Sequence, residues 1–393
     1  MNELKQKLDT LCIFRELLRD AVLDGLYRYL ESPEPAAYAR FAAALYEANG
    51  GDLAAHIQTL CQNSSNVYVK TIGRGEQVPP YMQAALTAEL QVLQQVAALD
   101  REALCTLMAY KGFLPDFTSS PVELQQWYLH RTEHIGRYGY GIYAQNPMFY
   151  VDEQGRIVPV GHPDPVSLDS LVDYERERQI ILENTRALLA GRPAANILLT
   201  GDAGTGKSSS VKAVVNKLWQ EGLRLIQIRK DQLSVIPRIL DVLSENPLKF
   251  VLFIDDLSFL QDDDSFNHLK GVLEGSATAR SGNVVIYATA NRRHIIRERF
   301  SDREGDEVHR NDTLQEQLSL SERFGIHITF SKPDKATYLR IVRQLAGEAG
   351  VTLPDDRLEQ LAERFALERG GRSARLARQL VDRLRSEGEN HVF

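Results

Sequence analysis

The sequence predicts an α/β protein with a five-stranded parallel sheet, followed by a C-terminal helical lid and preceded by a separate, mainly helical N-terminal domain. Three observations predict this fold class. Short apolar runs alternate with helical patterns through the middle of the chain, which is how parallel sheets are built. The first third and the end of the chain show helix-period patterns instead. The predicted segments are a helical domain at 1–137, a hairpin and linker at 138–165, the core at 166–332 and the lid at 333–393.

Composition indicates a folded, soluble chain. Of 393 residues, 43% are hydrophobic and 25% are charged, and the net charge of -7 provides no positive field that would attract nucleic acid or an anionic membrane. Cys12, Cys61 and Cys105 lack CxxC spacing and indicate reduced thiols. The start lacks a signal-peptide pattern, and no stretch approaches the ~20 apolar residues that cross a bilayer. We therefore expect a cytoplasmic protein with no membrane partner.

The N-terminal domain is predicted from apolar residues at helical spacing in LCIFRELLRDAVLDGLYRYL, YARFAAALYEA and MQAALTAELQVLQQVAAL. ESPEP and GRGEQVPP separate these patterns. We expect this domain to bind a protein partner, although its sequence does not say which. The following stretch, YGYGIYAQNPMFYVDEQGRIVPV, predicts two short strands joined by a turn at DEQGR, and the linker GHPDP ends it.

Five apolar runs predict the strands of the core: NILLT, LRLIQI, FVLFID, NVVIYATA and IHITF. Helical patterns lie between most of them. After SKPD, three more helical patterns begin near Lys335, Asp356 and Arg372 with no strand between them. These three patterns predict the lid.

The first core strand leads directly into a glycine-rich loop, GDAGTGKSS, which matches the pattern GxxxxGK[ST]. Glycines let backbone N–H groups converge on phosphate oxygens, and the helix that follows adds partial positive charge. Lys207 is expected to neutralise the β and γ phosphates, and the Ser208 hydroxyl to bind Mg2+. The acidic side chain of Asp202 is expected to point away from the ligand. The candidate ATP-binding residues are Gly201, Asp202, Ala203, Gly204, Thr205, Gly206, Lys207, Ser208 and Ser209.

The third core strand ends in two carboxylates, in KFVLFIDDLSF. The period of two along a strand sends Asp255 and Asp256 in opposite directions, so we expect them to have different roles. In a Walker B arrangement the first carboxylate, Asp255, joins Ser208 in holding Mg2+, and the second, Asp256, polarises the attacking water.

On these motifs, residues 166–393 resemble the AAA+ ATPases. The run from SLDSL to SSSVKA is similar to a bacterial AAA+ family whose function is unknown, and more distantly to the ATPase helpers of insertion-sequence transposases. The resemblance implies an ATP hydrolase that forms a homo-oligomer, either a ring or an open ring, with a hexamer as one candidate. It also implies three catalytic residues: Asn291 orients the water, Arg323 reaches a neighbouring subunit's nucleotide, and Arg375 on the lid contacts the γ phosphate.

Some positions depart from the family pattern or leave alternatives open. AAA+ proteins usually have a glutamate where this chain has Asp256, and because a ~1 Å misplacement can cost ~100-fold in rate, slow hydrolysis is expected. The transposase helpers also have two aspartates. Arg372 and Arg378 compete with Arg375, since they lie three residues to either side of it. Residues 172–174, Val-Asp-Tyr, lie where the family packs adenine, and a glycine is usual at the second of them.

The predicted function is an ATPase that binds Mg-ATP and hydrolyses it slowly to remodel or load a protein partner. A second hypothesis is a nucleotide-gated switch or loader that acts on DNA or on a DNA-processing enzyme. The basic stretch NRRHIIRERF and the short side chain of Asp256 favour it, while the acidic net charge disfavours it. A P-loop kinase for a small molecule is a third hypothesis, against which Arg323 and Arg375 argue.

Three further patterns have simpler interpretations. HRTEH, from His130 to His134, matches an inverted zinc-protease motif, but no distant acid supplies a third ligand, so we interpret it as solvated residues near a helix end. The tyrosines of RYGYGIYAQNPMFY could stack on bases, yet they have few basic neighbours and suit a half-buried hairpin. DDDSFNH lacks the glycine and glutamate of a calcium-binding loop.

Overall fold

The computed structural model describes most of the chain, namely residues 2–257, 259–260, 269–273, 282–291, 296–297 and 322–387. Two compact units are present. The first comprises Met1–Gln145 with Glu245–Leu248, and the second comprises Asn146–Ser244 with Lys249–Phe393. DDDSFNH and most of NRRHIIRERF lie outside the described residues.

The first unit is built from helices. Those described are α1 (Asn2–Asp9), α2 (Ala21–Glu31), α3 (Pro35–Asn49), α4 (Leu53–Asn63), α5 (Val67–Gly73), α6 (Pro80–Ala97), α7 (Arg101–Cys105), α8 (Leu124–Glu133) and α9 (Ile135–Tyr138), with 3-10 turns at Arg15–Arg19 and Gly141–Tyr143. The side chains of Asp20, Asp52, Asn66 and Asp100 accept backbone N–H groups at the starts of α2, α4, α5 and α7. Each cap satisfies donors that have no partner within the helix, which fixes where these helices begin.

Two of the buried polar side chains of this unit make contacts between helices and distant segments. Glu89 on α6 is 4% exposed, and its carboxylate accepts N–H groups of Cys12, Ile13 and Phe14 at 2.9, 3.0 and 2.9 Å. His56 on α4 is also buried, and its Nε2 donates to Oδ1 of Asp20 at 2.8 Å. Both side chains therefore join segments that are distant in the sequence.

The second unit contains a seven-stranded sheet with helices packed on it. Its strands are β1 (Met148–Val151), β2 (Ile157–Pro159), β3 (Ile197–Gly201), β4 (Leu223–Ile228), β5 (Lys249–Ile254), β7 (Val284–Ala290) and β9 (Ile326–Phe330), and the short β6 (Phe259–Leu260) and β8 (Ile296–Arg297) pair separately. Helices α10 (Glu175–Leu189), α11 (Lys207–Leu218) and α12 (Ile236–Ser244) accompany these strands, with 3-10 turns at Trp219–Glu221 and Lys230–Val235. The strand order is β2-β1-β4-β5-β7-β3-β9.

The sheet thus has seven strands, and the predicted number of five was wrong. The five predicted core strands are present and parallel, and the β1–β2 hairpin extends them: β1 runs parallel to β4 and antiparallel to β2. Without β1, the edge of β4 would present unpaired backbone groups. Pairing covers that edge and buries Met148 and Phe149. The turn lies at DEQGR, as predicted, with Gly155 at φ 75°.

The order of the strands determines where the site can form. β7 lies between β3, which leads into the phosphate loop, and β5, which leads into the two aspartates. All three run in the same direction, so their carboxyl ends share one edge of the sheet. In open parallel sheets this edge is where ligands bind.

Three helices form the predicted lid: α13 (Lys335–Glu348), α14 (Asp355–Glu368) and α15 (Ala374–Glu387). Their apolar faces make a small core of their own, which includes Tyr338, Phe365 and Leu380. Asp334 caps α13 by accepting the N–H of Thr337, so the first lid helix starts directly after SKPD.

Within the described part of the chain, no helix is both long enough and apolar enough to span a lipid bilayer.

Candidate functional site

A cavity of about 910 Å³ lies at the carboxyl edge of the sheet, between the core and the lid. The phosphate loop, the two aspartates and the end of β7 form one side, and lid helices α13 and α15 form the other. Of the predicted site residues, the cavity is lined by Ala203, Gly204, Thr205, Gly206, Lys207, Ser208, Ser209, Asp255, Asp256, Asn291 and Arg375.

The phosphate loop turns from β3 into α11 through a left-handed residue. Gly206 has φ 92° and is the N-cap of α11, a conformation that residues with a Cβ rarely adopt. The loop is closed by Lys207, whose Nζ donates to the carbonyl oxygens of Gly201 and Asp202 at 2.9 and 2.8 Å. Burial lowers the pKa of Lys207, and nearby carboxylates, Asp255 first among them, oppose that shift. An ammonium group is thereby held beside the amides at the start of a helix.

Gly204 brings the phosphate loop against the lid. A Cβ on Gly204 would lie 3.0 Å from Cβ of Arg375 and 3.2 Å from Oγ of Ser373, and the residue has φ 80°. The N–H of Arg375 points to the Gly204 carbonyl at 3.4 Å. The start of α15 therefore touches the loop directly, and only a glycine leaves room for it.

Asp255 lies at the centre of a group of hydroxyls. Its Oδ1 accepts the hydroxyl of Ser208 at 2.6 Å and that of Thr289 at 2.6 Å. Ser208 comes from the start of α11 and Thr289 from β7, so three elements converge on one oxygen atom. Hydroxyl and carboxylate oxygens are the hard ligands that Mg2+ prefers. This donor set fits a magnesium ion.

Asp256 has a different environment from its neighbour, as the strand period predicts. Its backbone has φ 56°, one of three non-glycine residues with positive φ in the described chain, beside Asp173 and Tyr174. Aspartate tolerates this region better than most residues, but such conformations persist only where the surroundings enforce them. The side-chain amide of Asn291 donates to Oδ1 of Asp256, and its oxygen lies 3.4 Å from Nζ of Lys207. Asn291 thus links the phosphate-loop lysine to the second carboxylate.

Arg372, Arg375 and Arg378 have different surroundings in the structure. Arg375 and Arg378 line the cavity. Arg372 lies before the first residue of α15, so it does not share a helix face with them, and it binds Glu363 with two hydrogen bonds of 2.9 and 2.6 Å. That ion pair holds the pKa of the Glu363 carboxyl below its usual value. Arg372 therefore stabilises the lid, and Arg378 is the remaining competitor of Arg375.

Three predicted residues do not line the cavity. Arg323, just before β9, is half-buried and is absent from the described residues that line the cavity of its own chain. The carboxylate of Asp202 lies 3.8 Å from Nζ of Lys332, which turns it toward the start of the lid. Gly201 likewise contributes its carbonyl to Lys207 without lining the cavity.

Part of the cavity lining is apolar. It includes Val172 and Tyr174, together with Ile341 and Leu345 of α13. Asp173, between them, has φ 62° and contacts Arg340 at 3.5 Å. A glycine adopts this φ without strain, so the glycine that the resemblance implies at this position would suit the backbone.

The sequence reasoning missed several lining residues. Glu348, Gln379 and Asp382 come from the lid, and no motif marks them. Thr289 could have been found, because it lies on β7 two residues before Asn291, which directly follows the strand, and a period of two places both side chains on one face. Its contacts with both aspartates make it part of the site.

The HRTEH segment lies in the first unit, at the end of α8. Ligand atoms of His130, Glu133 and His134 lie within 4.8 Å of one another, and all three residues are exposed. His130 contacts the hydroxyl of Tyr138 at 3.3 Å, and the guanidinium groups of Arg131 and Arg137 lie 4.6 and 5.6 Å from that ring. The exposure of all three residues at the end of a helix agrees with the interpretation as solvated residues.

The strand order, the phosphate loop and the helical lid together form a P-loop fold of the AAA+ type, in agreement with the resemblance in the sequence. Residues 144–388 match a family described as a protein of unknown function, DUF815, and the chain belongs to this family. No curated protein matches the chain.

Among solved structures, the chain is similar to the RuvB Holliday junction branch migration motor of Thermotoga maritima, with 19% identity and a TM-score of 0.39 over 56% of this chain and 64% of that one. A mutant form of the same RuvB gives 18% identity and a TM-score of 0.40 over 56% of this chain and 65% of that one. The matches thus span less than two thirds of the RuvB chains.

Proposed function

We propose that the protein binds Mg-ATP in the cavity between core and lid and hydrolyses it to remodel or load a protein partner. The observation that carries this proposal is the convergence of Lys207, Ser208, Asp255, Asp256 and Asn291 on one cavity. These residues supply a cation for the phosphates, two hard oxygen ligands for a metal ion, and a second carboxylate that is held by an amide. Phosphoryl transfer to water requires groups of these kinds.

The residues have distinct tasks in this proposal. Lys207 and the amides at the start of α11 bind the β and γ phosphates. Ser208 and Asp255 hold Mg2+, which, when bound, neutralises negative charge on the phosphates. Asp256 accepts a proton from the attacking water, and Asn291 keeps the Asp256 carboxylate in place.

Arg323 is proposed to act on the nucleotide of an adjoining copy of the chain. It lies just before β9, the strand that pairs with β3 at one edge of the sheet, and does not line its own cavity in the described structure. A guanidinium group supplied by a neighbour in this way stabilises charge in the transition state, with effects of ~1,000-fold in related phosphate chemistry. The site is then complete only in a homo-oligomer, and a ring or open ring is the arrangement that provides one neighbour to each subunit.

Arg375 connects the phosphates to the lid. Because it touches Gly204 and lines the cavity, loss of the γ phosphate would change the charge that it faces and so the position of α15. The N-terminal unit is proposed to bind the protein partner on which the resulting motion acts.

The mixing of variants tests this proposal. We expect turnover per subunit to rise with protein concentration and to fall by ~100-fold or more in Arg323→Ala and in Asp256→Asn. Mixing the two inactive variants should restore part of the activity, because an intact Asp256 in one subunit then meets an intact Arg323 from the other. Concentration-independent turnover with no recovery on mixing would contradict the oligomeric site.

The same assay separates the alternatives. Stimulation by single-stranded DNA would favour the switch or loader. Transfer of the γ phosphate to a metabolite, with no release of inorganic phosphate, would favour the kinase.

A further inference from the structure

We infer that Thr289 is a positioning residue that sets both carboxylates of the site, and that its hydroxyl is required for normal magnesium affinity. The inference rests on the proposed function and adds a residue to it. It comes from the hydrogen bonds at the end of β7.

A single hydroxyl makes both bonds. Thr289 donates to Oδ1 of Asp255 at 2.6 Å and accepts the backbone N–H of Asp256 at 2.9 Å. A threonine hydroxyl has one hydrogen, so the donation and the acceptance together fix its orientation. Thr289 is 2% exposed, and water cannot easily replace either partner.

The bond to Asp255 acts on the magnesium ligands. Oδ1 of Asp255 also accepts a hydrogen bond from the hydroxyl of Ser208, at 2.6 Å. Thr289 therefore holds the same oxygen atom that contacts Ser208, the other proposed magnesium ligand. When Ser208 turns its oxygen toward a metal, the bond from Thr289 remains to orient the carboxylate. Groups that orient metal ligands in this way typically contribute 10–100-fold to metal affinity.

The bond from Asp256 acts on the second carboxylate. The backbone of Asp256 has φ 56°, and two contacts from Thr289 enclose this turn: its hydroxyl accepts the Asp256 N–H, and its carbonyl accepts the N–H of Leu257 at 2.6 Å. Removal of the hydroxyl leaves the N–H of Asp256 without its acceptor, which favours a different backbone conformation. The Asp256 carboxylate would then leave the position in which Asn291 contacts it.

Substitutions at Thr289 test the inference through binding. Thr289→Val keeps the shape and removes the hydroxyl, Thr289→Ser keeps the hydroxyl, and Thr185→Val is the control. The hydroxyl of Thr185 is buried as well and bonds Ile181 and Tyr287, away from both aspartates. For each protein, the affinity for fluorescent ATP is measured in EDTA and across a Mg2+ titration.

We expect Thr289→Val to raise the Mg2+ concentration at half-saturation by roughly tenfold or more while affinity in EDTA changes little. Thr289→Ser should recover most of the difference, and Thr185→Val should resemble the unaltered protein. A purely structural role would lower thermal stability and weaken binding equally with and without Mg2+. If Thr289→Val does not fold, Thr289→Ala provides the same test with less steric demand.

The outcomes distinguish the two levels of the proposal. A Mg2+ dependence that is normal in Thr289→Val, or weakened equally in Thr289→Ser, would overturn the role of the hydroxyl and leave the proposed function standing. An unaltered protein whose nucleotide affinity does not respond to Mg2+ would overturn both.

Discussion

The two units of the molecule use carboxylates in opposite ways. In the N-terminal unit, Glu89 is 4% exposed and accepts hydrogen bonds from three consecutive backbone N–H groups. These donors belong to the main chain, so they can move away from Glu89 only if this part of the chain unfolds. In the second unit, Asp255 and Asp256 line a cavity, and of the two hydroxyls that hold Asp255, that of Ser208 can turn toward another ligand. Burial of charge therefore does not by itself indicate function. Function is indicated instead by hydrogen-bond partners that can exchange for another ligand.

The largest expected difference between the two kinds of carboxylate is in turnover. Asp256→Asn removes the proton acceptor but keeps the size of the side chain, so we expect hydrolysis to fall by ~100-fold or more, with Mg-ATP affinity nearly unchanged. Asp256→Glu keeps a carboxylate and should remain active. Phosphate release in single-turnover assays measures both, and an Asp256→Asn protein with normal turnover would remove Asp256 from the chemistry.

Glu89→Gln should show the reverse pattern. A neutral amide offers one acceptor oxygen and places an NH2 group against backbone donors, so the free energy of unfolding should fall by about 2–3 kcal/mol. Nucleotide affinity should not change. Chemical denaturation followed by far-UV circular dichroism, with Glu76→Gln as an exposed control, measures the effect. Equal stability of the two variants would mean that Glu89 is not the structural carboxylate described above.

The lid offers a matched pair of arginines. Arg375 lines the cavity, whereas Arg372 is bound to Glu363, so Arg375→Ala should weaken Mg-ATP binding by about tenfold, the worth of one modest charged interaction. Arg372→Ala should lower the melting temperature and leave the affinity intact. Calorimetric titration and thermal unfolding of both variants test this contrast. If Arg372→Ala bound Mg-ATP more weakly than Arg375→Ala, the assigned roles of the two arginines would be wrong.

The smallest expected effect is on how the stability of the fold changes with pH in the acid range. Burial raises the pKa of Asp20, but the hydrogen bond from His56 and the amides of α2 outweigh it and leave that pKa below its usual value. A carboxyl with a lowered pKa stabilises the fold above its unfolded pKa of about 3.9 and loses this contribution as the pH falls through the folded value.

Asp20→Asn keeps an N-cap but does not titrate. It should therefore be less stable than the unaltered protein at pH 6, and the difference should shrink as the pH falls below about 4. Thermal unfolding between pH 6 and pH 3 measures it, and a difference that grows toward low pH would reverse the assigned sign.

Much of the second unit could be predicted from its sequence because its signals are local. The strand, the glycine loop and the helix start are contiguous around Lys207, and the apolar run before Asp255 marks a buried strand. The same logic missed the hairpin's place in the sheet, since β1 pairs with a strand more than seventy residues away. It also placed Arg372 on a helix that begins two residues later.

In the N-terminal unit, only the helices could be predicted from the sequence. Its specific contacts join Glu89 to residues 12–14 and His56 to Asp20, and no spacing rule predicts such pairs. Thr289 is an intermediate case: strand period could have placed it on the face of Asn291, but its role depends on contacts with a neighbouring strand that only the structure reveals.

The most direct test is the affinity of the unaltered protein, Lys207→Ala and Lys217→Ala for Mg-ATP. Both lysines lie on α11, but Lys217 is exposed at the far end of the helix and Lys207 lines the cavity. We predict that Lys207→Ala loses ~100-fold or more in affinity, since it removes at least two charge-assisted contacts, and that Lys217→Ala binds normally. Equal affinity in all three proteins, or no affinity in the unaltered one, would contradict the assignment of this cavity as a nucleotide site.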